Sequence, residues 1–168
     1  NTQYPDIAPL LGETQWGQGK PYNNMCPLVD GERSVAGCVA TALSQIMYKH
    51  QYPTHGIGSH SYRLRNGTQL SVDFSQTTYD WENMIPRYNK SYTQEQADAV
   101  AELMYHVGVS CNMGYSPSAS GAVSQIALQA IHTYFGYDAG LTPLLKDYMS
   151  EDKILTAIAA DLQQGLPI

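Results

Sequence analysis

The chain has 168 residues, enough for one domain with a real core, and its 43% hydrophobic content excludes a disordered polypeptide. A net charge of −6 with no Lys/Arg cluster argues against a nucleic-acid partner, because such binding rests on neutralising phosphates. No apolar run approaches the roughly 18 residues of a membrane span, and the opening NTQYPDIAPLL lacks the basic-then-apolar order of a secretory leader.

Residues 1–36 read as irregular, broken by Pro5, Pro9, Pro21, Pro27 and repeated glycines. From Cys38 the pattern changes: Val39, Ala42, Leu43, Ile46 and Met47 recur at the spacing of an amphipathic helix, and Tyr52-Pro53 stops it. SYRLRNGTQLSV carries Asn66-Gly67 between alternating flanks, which predicts a hairpin with a two-residue turn. TTYDWENMIPRY reads as a loop or short turn. A second helix is expected from Thr93, whose side chain can cap while Gln96 reaches back. Its apolar face is Ala97, Val100, Ala101, Met104 and Val107, with an end near Gly108. The third runs from about Ala122 to Phe135, with Val123, Ala127, Ala130, Ile131 and Tyr134 inward and Gly136 as its C-terminal glycine. A fourth opens at Ser150, buries Ile154, Ala157, Ile158 and Leu162, and ends at Gly165. The closing LPI reads as the start of a strand, so the expectation is a helical half followed by the first residues of a β half.

The chemistry centres on Cys38, directly after Gly37 at the start of the first helix. Four readings are open for it: small core residue, half of a disulfide, metal ligand or nucleophile. The first turn of a helix leaves N–H groups unpaired and carries partial positive charge, which favours a thiolate and predicts a depressed pKa. Gly37 removes a Cβ and would let a substrate backbone approach. With Cys26 and Cys111 the cysteine count is three, so at least one thiol is unpaired, and the separations lack the close pairs of a zinc site. No structural metal is expected. Cys26 lies in a Pro-rich loop, and Cys111 alternates with Val109 and Met113 like a strand residue facing a core. A Cys26–Cys111 bridge stays open.

A thiol nucleophile needs a base, normally histidine. His50 shares the Cys38 helix and lies ~18 Å along it, out of reach. His55 and His60 sit in a Gly-rich loop, and His106 and His132 fall off the apolar stripes and read as exposed helix residues. None has a context that promotes it to the base.

GCVATALSQIMYKHQYP (37–53), QGKPYN (18–23), YDWENM (79–84), ELMYHVGVSCNMGYSPS (102–118) and FGYD (135–138) together resemble the streptopain family of bacterial papain-like cysteine peptidases, with its interpain branch most similar. The resemblance implies an α+β fold of two lobes, this chain supplying mainly the helical lobe as a partial catalytic domain over 1–168. It implies Cys38 as catalytic residue and Gln18 as the oxyanion-hole glutamine. SPSASGAV (116–123) is similar to a family loop near the specificity pocket, although glycines and serines are exchanged within it. That loop implies Ser120 and Gly121, with Gly37, as substrate contacts. The family's histidine falls beyond Ile168, in a C-terminal remainder that would be a partner of this chain. Protein substrates, an own propeptide and secretion are implied too, with no cofactor and no membrane. A charged fraction of only 14% suits an extracellular protein. The alternatives are a non-catalytic binding or adhesin module with Cys38 a relic, and a cell-wall amidase.

Overall fold

The structure is a computed structural model that describes residues 13–138; the expected fourth helix and closing strand lie outside the described residues. In chain order it places a small hairpin, β1 (Leu28–Val29) and β2 (Glu32–Arg33), before helix α1 (Cys38–His50). A second hairpin follows, β3 (Ser59–Arg63) and β4 (Gln69–Asp73), then helices α2 (Gln94–Ser110) and α3 (Ser124–Phe135).

The first hairpin interrupts a segment read as irregular. Asp30 and Gly31 both take positive φ, at 54° and 82°, and so provide the tight two-residue turn that matches strand twist. At the second hairpin the expected two-residue turn is corrected. Leu64 N–H donates to Thr68 O at 2.8 Å and Gly67 N–H to Leu64 O at 2.9 Å, leaving Arg65, Asn66 and Gly67 as a longer turn. Asn66 stays at negative φ and uses its side-chain oxygen to accept from Thr68 N–H, while Gly67 alone goes left-handed. In β4 the alternation holds, with Leu70 and Val72 buried opposite Tyr62 and His60.

Helix α1 is the centre of the molecule. Val39 to Met47 are buried without interruption, so the helix is enclosed on every side rather than amphipathic. Ala40, Ala42 and Ser44 are what allow this, since small side chains let neighbours close in where a stripe of large polar residues would demand water. Full burial of Leu43, Ile46 and Met47 contributes roughly 1.5–3 kcal/mol each relative to exposure. Helix α2 packs against α1, α3 and the second hairpin. It starts as expected: Thr93 Oγ1 accepts from Gln96 N–H at 3.1 Å, and Gln96 Oε1 accepts from Thr93 N–H at 2.9 Å.

Three expectations about helix ends change. Helix α2 runs on to Ser110, and Cys111 is its C-terminal cap, not a strand residue. Helix α3 begins at Ser124, leaving Val123 as its cap and 59% exposed instead of inward. His106 is buried, because every residue of α2 from His106 onward is covered by core. The TTYDWENMIPRY segment folds as expected into a loop holding one 3₁₀ turn, Trp81–Asn83, with Trp81 Nε1 donating to Pro53 O at 2.7 Å.

Candidate active site

The sulfur of Cys38 stands at the first residue of α1 and is half-buried. What surrounds it is built by one glutamine. Gln18 is 7% exposed and wraps the entry to the helix. Its backbone oxygen accepts from Ala36 N–H at 2.9 Å and its side-chain Oε1 accepts from Gly37 N–H at 3.1 Å. With Oε1 occupied in this way the amide can face only one way, and Nε2 donates to Cys38 Sγ at 3.0 Å. The carboxamide expected to work with Cys38 therefore lies against its sulfur.

The segment carrying Gln18 is fastened along its length. Gln15 N–H donates to Pro86 O at 2.8 Å, and Trp16 Nε1 donates to Ile85 O at 2.9 Å. From inside α1, Gln45 Oε1 accepts from Trp16 N–H at 3.0 Å, and Thr41 Oγ1 sits 3.3 Å from Gly17 O and 2.9 Å from Gly37 O.

Electrostatics at the sulfur differ from the sequence expectation. Burial pushes the Cys38 thiol above its ordinary value. The Gln18 donor and the Cys38 N–H pull it down, but less strongly. Burial outweighs both donors, so the thiol lies above its ordinary value where the helix start predicts a depression.

Gly37 caps α1 at φ 97°, a conformation that L side chains rarely adopt. A Cβ there would meet Met113 Sδ and Cε at 2.8 Å and Ser120 O at 3.3 Å. The space beside Gly37 is filled by Met113, which gives this glycine a packing reason of its own. Ser120 is also engaged. Its Oγ accepts from Ser116 N–H at 2.9 Å and donates to Val35 O at 2.7 Å, while Val35 N–H donates to Ser116 O at 3.1 Å. These bonds lash the loop between Gly114 and Gly121 to the residues just before Cys38. Gly121 pairs with Gly114, donating to its carbonyl at 3.2 Å and accepting from its N–H at 2.8 Å, and is otherwise open.

Among the described residues, Gln18 is the side chain that hydrogen-bonds Cys38 Sγ, and the histidines are placed elsewhere. His60 Nε2 is 2.7 Å from Asn112 Oδ1 and its Nδ1 3.2 Å from Tyr134 OH. His106 Nδ1 is 2.8 Å from Tyr79 OH, and His132 Nδ1 is 2.7 Å from Tyr137 O. His50 closes α1 at the end opposite Cys38, and His55 is exposed and bridges to Thr78. All three cysteines are free thiols, which sets aside the Cys26–Cys111 bridge in this structure. Burial pushes both Cys26 and Cys111 up to about 12, so neither offers a thiolate near neutrality.

The frame that carries this arrangement is papain-like. It superposes on the active wild-type interpain A cysteine protease of Prevotella intermedia with a TM-score of 0.71 and 43% identity, covering 76% of this chain and 54% of that one. A prointerpain A fragment from the same organism matches with the same TM-score and 42% identity, covering 76% of this chain and 42% of the fragment.

The chain belongs to the peptidase C10 family, whose model matches residues 16–168. Among curated relatives, streptopain of Streptococcus pyogenes is 31% identical over 183 aligned residues, covering 98% of this chain and 46% of streptopain. The thiol protease/hemagglutinin PrtT of Porphyromonas gingivalis is 29% identical over 173 residues, covering 96% of this chain and 20% of PrtT. The chain thus spans less than half the length of either relative.

Sequence reasoning named Cys38 and Gln18 but missed Thr41, Gln45 and Met113. A signal existed for the first two. Thr41 and Gln45 are polar, four apart, and sit among the apolar positions of a helix, where a buried amide is retained only if something accepts and donates to it.

Proposed function

We propose that this chain supplies the nucleophile and the oxyanion donors of a secreted cysteine endopeptidase that hydrolyses protein substrates through an acyl-enzyme. The observation that carries this reading is the Gln18 Nε2 to Cys38 Sγ contact of 3.0 Å, with the amide orientation fixed by Gly37 N–H. A carbonyl carbon attacked by that sulfur puts its oxygen within reach of Gln18 Nε2 and of the Cys38 N–H, the two donors that would hold the developing negative charge.

The chemistry runs in two halves. The Cys38 thiolate forms a C–S bond to the scissile carbonyl, and the carbonyl π pair moves onto oxygen. The tetrahedral species collapses, the C–N bond breaks, and the amine leaves with a proton delivered by a histidine. Water then attacks the thioester, its proton passes to the same histidine, and the Cys38 sulfur leaves. That histidine comes from sequence outside these 168 residues, a reading supported by the separate placement of the five histidines above. The raised Cys38 pKa supports it as well: a thiol held up by burial needs a cationic imidazole beside it to ionise near pH 7. Likeness to streptopain, the PrtT thiol protease and the interpain A cysteine protease supports the activity class, and the prointerpain fragment supports a propeptide.

The test is acid quenching of the full-length natural product during the first turnover of a peptide ester, followed by mass analysis of its tryptic peptides. The acyl mass is expected on the peptide containing Cys38. Turnover with the acyl mass on another side chain, or on none, would contradict the reading.

A further inference from the structure

Gln45 is 3% exposed, inside a helix whose neighbouring positions Leu43, Ile46 and Met47 are apolar. Burying a carboxamide there is unfavourable unless it is fully used. Both of its ends are used: Oε1 accepts from Trp16 N–H at 3.0 Å in the Gln18 segment, and Nε2 donates to Thr41 O at 3.2 Å within its own helix. Thr41 in turn reaches Gly37 O at 2.9 Å and Gly17 O at 3.3 Å. The residue between Trp16 and Gln18 is Gly17, which imposes no stiffness of its own. It is held by Thr41 at its own carbonyl and by clamps on either side, Gln45 and Ile85 O at Trp16 and the Ala36 and Gly37 N–H groups at Gln18.

We infer that Gln45 is a positioning residue that holds the Gln18 carboxamide at its working distance from Cys38 through the backbone of Trp16 and Gly17. This rests on the reading of Gln18 as an oxyanion donor. Gln45 touches no reacting atom, so its removal acts on the step where negative charge develops and leaves substrate binding alone.

The experiment is a double-mutant cycle in the full-length natural product, with Gln45→Met (similar length, no acceptor), Gln18→Ala and the pair. Because small displacements of a transition-state donor are costly, Gln45→Met is expected to lower kcat about tenfold with KM nearly unchanged. Combined with Gln18→Ala it should cost nothing more, since the group it positions is already gone. Gln45→Asn, whose shortened amide falls short of Trp16 N–H, gives the same pattern and serves if the Met variant folds poorly. A wild-type kcat in either Gln45 variant, a loss confined to KM, or a double variant whose loss is the product of the two single losses overturns the inference while leaving the Gln18 reading intact. A silent Gln18→Ala overturns both, and marks the failure as that of the oxyanion assignment.

Discussion

At Cys38 one amide works against burial. The Gln18 Nε2–H donates to Sγ and stabilises the thiolate, while burial opposes it. Removing the donor therefore moves the Cys38 pKa further up. Gln18→Ala should shift the pH profile of iodoacetamide alkylation at Cys38 to higher pH, and by the usual cost of an oxyanion donor it should lower kcat about 10²–10³-fold. An alkylation profile unchanged by the substitution would remove the Gln18–Sγ contact from the account. At this scale the sequence was partly legible. Cys38 stood out by its place after Gly37 at a helix start, but a small core residue fitted that pattern as well, and the family resemblance is what pointed to a nucleophile. Gln18 looked like any loop glutamine and was singled out by family resemblance alone. The direction of the Cys38 pKa differs from the sequence expectation because helix-end charge can be read from position, whereas burial depends on the tertiary fold.

Elements were legible where a local rule acts alone. The Thr93–Gln96 capping box and the Gly136 end of α3 at φ 73° follow from neighbours a few residues apart. They failed where tertiary covering replaces the one-sided pattern. Helix α1 is enclosed all round, and the last turns of α2 enter the core with His106 among them. His106 has a measurable consequence. Burial lowers its pKa from the ordinary 6.5 to about 4, so the unfolded chain binds a proton that the folded chain refuses between those values. Stability from this residue is complete above pH 6.5 and is lost as pH falls through the interval to 4, by about 3 kcal/mol if the full shift is realised. The neighbours in contact are Tyr79, at 2.8 Å from Nδ1, and the rings of Phe74 and Tyr105, and none supplies a charge to hold an imidazolium. Urea midpoints measured from pH 7 to pH 4 should fall less steeply in His106→Gln than in the parent. Equal slopes would show that His106 does not titrate as a buried neutral group.

On the scale of the molecule, the helical lobe reads as one device for presenting a sulfur. Helix α1 is fixed by the burial of Val39 to Met47, its N-terminal approach is tied by Val35 and Ser120 to the Gly114–Gly121 loop, and the Gln18 segment is bound to the same approach. None of this long-range tying could be read from the chain, because every bond joins residues 18 or more positions apart. The β half expected from the closing residues lies outside the described residues. The claim that the whole arrangement serves Cys38 as a nucleophile is tested most directly by casein hydrolysis with the full-length natural product and its Cys38→Ala variant, matched for circular dichroism. The account predicts cleavage falling to background, a loss of about 10⁴-fold or more, with the spectrum unchanged. A folded alanine variant that cleaves casein near the parent rate would contradict it.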